Sequence, residues 1–307
     1  MPADALTHIL ESVRMEGSVF SRADLTAPWG VESGELADGV FHAVVTGRAW
    51  VSLADGDTPV EVQRGDVVMF PFGDNHLIAD SPDRPTQNIG LLTSVDDRGM
   101  GHLVVDGGGA ATSLICGRIT FEQGTVHPVL SGLPRLIHVR DVDGTMSDIV
   151  DTLIGLIATE VDSPSAGSDT ILARLTDALV VYVLRGYIEG LPHGEGSWLA
   201  GLRDPHIAEA LAMIHGKPAH AWTAETLAEA AGLSRSAFFT RFKDQVGETP
   251  AEYLTRWRIH LAARLLRHEG CSVAVTAGRV GYGTEAAFSN AFVRVMGIRP
   301  GAYKRSA

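Results

Sequence analysis

The 307-residue sequence predicts a multidomain α+β protein with an N-terminal β-barrel, a helical connector and a C-terminal all-α domain carrying two helix–turn–helix units. Three observations lead to that architecture. The last hundred residues hold one short pattern twice, about fifty residues apart. Residues 20–140 alternate apolar and polar positions in short runs punctuated by Gly, Asp and Pro. Between these regions, residues 145–162 and 168–190 carry helical periodicity. The expected divisions are 1–142 for the barrel, 143–192 for the connector and 198–307 for the helical domain, with 190–197 as a linker rich in Gly and Pro.

In the N-terminal region, residues 41–46, 49–53, 60–62, 67–70 and 114–116 read as strands, and that many short strands with frequent turns favour a barrel or sandwich. The stretch from Gly65 to Asp80 contains Pro71, Gly73 and His76. Its Pro and Gly make a sharp turn, after which His76 projects into the barrel. His42, His76 and Cys116 are expected to meet there, with Asp74 or water beside them. Imidazole plus thiolate suits a divalent metal such as zinc. The alternative is a pair of hydrogen-bonded core histidines beside an inert buried thiol. A redox switch at Cys116 finds no neighbour in sequence that would lower its pKa. An organic effector would have Trp50, Phe70 and Phe72 as wall residues, unless those aromatics are core.

The connector's second helix presents Ile171, Leu172, Leu175, Leu179, Val183 and Leu184 as a face broader than a coiled-coil seam. That face serves either packing onto the barrel or dimerisation.

In the C-terminal region, Phe238, Phe242, Gly247, Pro250 and Tyr253 recur as Phe288, Phe292, Gly297, Pro300 and Tyr303. Gly232 and Gly281 break the preceding segments, and Ser234 and Thr284 are N-caps of the helices that follow. Phe residues four apart share a buried face. The opposite faces carry Arg235, Ser236, Thr240 and Lys243 in one copy and Glu285, Ala286, Ser289 and Asn290 in the other. Such faces, with Thr284 at the entry, fit a major groove. Arg241, Lys243 and Arg256 are expected phosphate contacts. A bundle with an aromatic core explains one copy but not two in register. The amphipathic stretch 251–266 between the copies reads as a rod that sets their spacing.

Charge follows the same division. Residues 200–307 hold 14 Lys+Arg against 9 Asp+Glu, net +5, whereas the whole chain is −12. A basic segment joined to an acidic one suits a nucleic-acid module attached to a different one. There is no run of eighteen apolar residues and no signal segment, and Cys116 and Cys271 fall in different domains. These features predict a cytoplasmic, nucleoid-associated protein without a membrane partner.

Residues 198–305 resemble the DNA-binding domain of the AraC/XylS family of transcription regulators, through Leu265-Leu266, Val280-Gly281-Tyr282, Ala287-Phe288, Ala291-Phe292 and Pro300 to Tyr303. Two departures are Thr276, where a branched apolar residue is usual, and Val293, where a basic one is common. Residues 65–80 resemble the second cupin motif with Asp80 in the Asn place, while only His42 survives of the first. Phe41-His42, Gly65 to His76 and Cys116-Gly117 are similar to the cupin-type sensor domain of one branch of the same family. The resemblance implies a regulator that binds double-stranded promoter DNA, senses a small effector or metal in a cupin-like barrel, forms a homodimer and contacts RNA polymerase. A cupin-type metalloenzyme with an accessory helical domain is the alternative, weakened by the missing His-x-His and Glu. A DNA-bound architectural protein with a vestigial barrel is a third.

Overall fold

The computed structural model describes residues 5–13, 16–56, 58–96, 99–120, 132–139, 145–191 and 197–305. Their contacts form two compact units: one holds the elements between 16 and 190, the other those between 197 and 305 together with an N-terminal helix, α1 (Ala5–Val13). Residues 192–196 of the expected linker lie outside the described residues.

In the first unit, one sheet runs in the order β12 (Ile137–Val139), β6 (Val67–Phe70), β3 (Gly39–Thr46), β11 (Ala111–Thr120), β1 (Glu16–Thr26), β10 (Gly101–Asp106) and β9 (Thr93–Val95). The other runs β5 (Val60–Gln63), β4 (Arg48–Leu53), β7 (His76–Ala79), β2 (Gly30–Glu32) and β8 (Gln87–Asn88). Leu25, Val40, Val44, Phe70 and Leu114 from the first sheet share one apolar core with Val31, Val51, Leu53, Val62 and Ile78 from the second. The strands of the expected barrel are thus arranged as two facing sheets around one apolar core. Pairing is antiparallel except for β1 with β10 and β2 with β8.

Helices α2 (Thr145–Asp162) and α3 (Ser168–Gly190) belong to this unit. The close approach of α3 requires glycine on the helix as well as beneath it. A Cβ at Gly17 of β1 would lie 2.4 Å from Thr176 Cγ2, and one at Gly186 would lie 2.4 Å from Val139 Cγ1 of β12. The Gly17 amide donates to Asp177 Oδ1 at 2.9 Å. The inner face of the hairpin buries Ile154, Ile157, Leu172, Leu179 and Val183, so it serves packing onto the strands.

The second unit continues through α4 (Trp198–Gly201), α5 (Pro205–Gly216), α6 (Ala224–Ala230), α7 (Arg235–Val246), α8 (Pro250–Arg267), α9 (Val273–Arg279), α10 (Glu285–Met296) and α11 (Pro300–Arg305), with α1 packed against α5. Among the described residues no helix is long and apolar enough to cross a membrane.

Candidate DNA interface and the buried histidine chain

The two helix–turn–helix units close in the same way. In the first, Gly232 at φ +68° and Leu233 donate their amides to Glu229 O and Ala228 O at 3.0 and 2.9 Å. In the second, Gly281 at φ +87° and Tyr282 donate to Gly278 O and Ala277 O at 3.1 and 2.9 Å. Left-handed backbone at each glycine satisfies the last carbonyls of the supporting helix and turns the chain. Ser234 and Thr284 then accept the Ala237 and Ala287 amides, as expected of N-caps.

Inside each unit the repeat is an aromatic cluster. Phe238 and Phe242 lie 5.5 Å apart, and Phe242 meets Tyr253 at 5.9 Å. Phe288–Phe292 and Phe292–Tyr303 repeat this at 5.6 and 5.5 Å. Gly247 and Gly297 end α7 and α10 in the left-handed region, and Pro250 and Pro300 start the helices that return each Tyr to the Phe pair. All four Phe are fully buried, so each Phe→Ala change would cost about 3–5 kcal/mol.

Burial of that edge leaves the other side of each recognition helix exposed. On α7 the exposed residues include Arg235, Ser236, Thr240 and Lys243; on α10 they include Glu285, Ala286 and Asn290. Some expected DNA contacts also hold the domain together. Arg235 pairs with Glu225 at 2.6 Å. Arg241 reaches back to Asp204, which caps α5 through the His206 and Ile207 amides. Arg256 pairs with Glu248 and covers the Tyr253 ring at 5.3 Å. Of the three expected phosphate contacts, Lys243 is exposed and, among the described residues, forms no ion pair of this kind. Phe239 and Arg294 are also exposed on α7 and α10, and the sequence reading assigned neither a role. The signal for Phe239 was its position four residues after Arg235.

In the strand unit, register explains the clustering of two residue pairs. Phe41 and His42 on β3 stand opposite Gly117 and Cys116 on β11. A Cβ at Gly117 would lie 2.0 Å from the Phe41 ring, so glycine there admits the ring and brings the thiol to His42. His76 arrives from the other sheet. The turn before it places Gly73 at φ +71°, where a Cβ would be 2.3 Å from Leu36 O. Asp80 accepts the Trp29 amide and pairs with Arg84, a structural role.

The three side chains meet, as expected, but in a line. Cys116 Sγ lies 3.0 Å from His42 Nδ1, His42 Nε2 lies 2.8 Å from His76 Nε2, and His76 Nδ1 lies 2.8 Å from the Asp74 carbonyl. Phe70 stacks on His76 at 3.8 Å. Because a carbonyl only accepts, His76 Nδ1 carries the proton and its Nε2 accepts from His42 Nε2–H. His42 Nδ1 then accepts from the thiol. Burial fits this all-neutral chain: it pushes His42 well below its ordinary range, His76 down to about 4, and the Cys116 thiol up to about 12.

In this arrangement the three side chains are bonded to one another rather than gathered around a common point. Cys116 and His76 occupy opposite edges of the His42 ring, so in this arrangement their donor atoms do not converge on one point. The Asp74 carboxylate is turned to Arg135 at 2.7 Å. No group of three His, Cys, Asp or Glu among the described residues is arranged to hold a metal, although imidazole and thiolate are donors that suit zinc. Nor is Cys116 primed for oxidation, since the reactive species is the thiolate. Of the expected wall aromatics, Phe70 is core, Trp50 is half-buried, and Phe72 is 41 % exposed. Phe72 lines a surface pocket of about 400 Å³ with Leu36, Ala54, Asp55, Asp74 and Arg135.

A strand sandwich of cupin type joined to paired, capped helix–turn–helix units defines a DNA-binding transcription regulator. A Cupin family model matches residues 4–189, and a Helix-turn-helix domain model matches 227–306. A Streptomyces lividans protein named as an AraC-like transcription regulator is 36% identical over 86% of this chain and 86% of its own. The HTH-type transcriptional regulator AlkR of Acinetobacter baylyi is 29% identical over 99% of this chain and 100% of its own. The DNA-binding domain of AdpA, solved with a target DNA, is 35% identical over 34% of this chain and 92% of its own, at a TM-score of 0.32. The chain belongs to the AraC family of transcription regulators.

Proposed function

We propose that this protein is a cytoplasmic, sequence-specific regulator whose two recognition helices engage one face of promoter DNA, under the control of a small effector bound by the strand unit. The observation that carries the reading is the pair of exposed faces on α7 and α10, each fixed by the same caps and aromatic cluster. Arg235, Ser236 and Thr240 offer polar groups to base edges. On α10, Asn290 suits adenine and Glu285 suits cytosine, while Ala286 suits a thymine methyl. Lys243, with Arg241 and Arg256, supplies phosphate attraction.

The effector pocket proposed is the rim cavity of Phe72, Leu36 and Arg135, because side chains fill the space around His42 and His76. Its Asp74 is the residue whose carbonyl ends the buried chain, so an occupant there acts on His76 through one hydrogen bond. The outer face of α2 and α3 is proposed to join two copies, with RNA polymerase as a further partner at the promoter. A catalytic role is not part of this reading: the paired imidazoles are neutral, buried and closed to substrate.

The test is an affinity comparison. Arg235→Ala and Asn290→Ala are expected to weaken binding to the cognate operator about 5- to 100-fold, and binding to random duplex far less. Equal losses on both duplexes mean that these side chains touch phosphate alone.

A further inference from the structure

We propose that Arg258 is a positioning residue that locks the two helix–turn–helix units at one separation, so that a single chain reads a bipartite DNA site of fixed spacing. The inference rests on the reading that α7 and α10 both engage DNA.

Arg258 sits within α8, half-buried, and touches both units at once. Its Nε donates to Pro218 O and its Nη2 to His220 O, each at 2.7 Å. Those carbonyls belong to the segment between α5 and α6, in the first unit. The same guanidinium lies over the ring of Tyr282, 5.7 Å from its centroid, in the α9–α10 turn of the second. Tyr282 packs on Phe288 at 5.6 Å, in the first turn of α10.

The segment that Arg258 grips is itself stiff. Its His220 amide donates to Lys217 O at 3.1 Å, Trp222 Nε1 donates to the same carbonyl at 2.9 Å, and the His220 and Trp222 rings meet at 4.2 Å. It also presses on the second turn directly: a Cβ at Gly281 would lie 2.6 Å from Ala219 O and 2.7 Å from Ala219 Cα. Gly232, the counterpart in the first turn, has nothing within 4 Å of such a Cβ. The first glycine answers only to its positive φ, whereas the second also admits a neighbouring backbone. A continuous packed path therefore runs from the α5–α6 segment through Arg258 and Tyr282 to α10.

That path ties the α9–α10 unit to the first in addition to the link through α8. Arginine is needed because one planar group must serve two carbonyls and one aromatic face, which an ammonium cannot do.

The probe is a duplex enriched from a random library by the full-length wild-type chain, with derivatives carrying one or two extra base pairs between the two protected segments. Wild type is expected to lose about tenfold or more in affinity on a one-base-pair insertion. Arg258→Ala is expected to bind the parent duplex about tenfold more weakly and to lose less than about threefold more on insertion. Arg258→Lys is expected not to rescue, and Tyr282→Leu, which keeps the packing on Phe288, to loosen the spacing in the same direction. Should Arg258→Ala fail to fold, Arg258→Lys and Tyr282→Leu decide the matter. Wild-type spacing dependence in the folded variants overturns the positioning role. A wild-type footprint over one segment only overturns the paired reading beneath it.

Discussion

At the scale of single residues, the buried chain from Cys116 to Asp74 has one consistent set of protons, and that makes it sensitive to acid. His76 is held neutral with a pKa near 4, against an ordinary 6.5. Between those values the unfolded chain binds more protons than the folded one, so stability is full above 6.5 and falls as pH drops toward 4. Moving from pH 7 to pH 5 is expected to cost about 2 kcal/mol through His76 alone, and His42 acts in the same direction. Denaturant titrations of the strand unit's unfolding at both pH values measure this. His76→Gln should flatten the slope; an unchanged slope in that variant would place the acid sensitivity elsewhere. Thr276 carries a second residue-scale consequence. It is fully buried in α9 and its Oγ1 has no hydrogen-bond partner. Thr276→Val keeps the shape and removes the unsatisfied hydroxyl, so the helical unit should gain about 1 kcal/mol in urea unfolding with operator affinity unchanged.

At the scale of elements, legibility followed periodicity and punctuation. The capped pairs α6–α7 and α9–α10 were readable because Gly, Ser or Thr, Phe and Pro each mark a distinct backbone or packing requirement, and the second copy repeated them. Helices α2 and α3 and strands β3 to β6 were readable from their apolar spacing. Strand β1, eleven residues long, was not singled out: its buried positions include Gly17, Ser21 and Ala23, and Arg22 and Asp24 lie on its other face. Its Gly17 is small because α3 rests there, a tertiary reason with no local signature. The same limit applies to the histidine site. That His42, His76 and Cys116 meet is what the resemblance to the cupin-type sensor domain implies. That they stand in a line depends on the register of β3 with β11 and on which edge of each ring faces its neighbour. Arg235, Arg241 and Arg256 were legible as basic, but their pairing with Glu225, Asp204 and Glu248 required the fold.

At the scale of the whole molecule, the outer face of the connector hairpin argues for two copies acting together. Ile149 and Leu156 on α2 are 41 % and 51 % exposed, and Ile171 on α3 is 44 % exposed. Leu153, Leu175 and Ala178 are half-buried along the same helices. Positions 149, 153 and 156, and 171, 175 and 178, recur at helical spacing, so they form a stripe on the side away from the strands. A self-complementary stripe of this kind suits a two-fold interface, in which α2 and α3 of one copy meet the same helices of the other. A dimer joined in the proposed way would place four recognition helices on DNA and add the phosphate attraction of two basic domains, each net +5 over residues 200–307. Leu156→Glu with Ile171→Glu would set four carboxylates in that interface while leaving the buried face of the hairpin intact. The double variant is expected to sediment as a monomer where wild type sediments as a dimer. Its melting temperature should be unchanged, and its affinity for a duplex with two operator copies should fall about 100-fold or more. Affinity for a duplex with one copy should stay near that of wild type, because α7 and α10 are untouched. A variant that still sediments as a dimer would show that the stripe is not the contact. Equal losses on both duplexes would show that the substitutions reach the helix–turn–helix units instead.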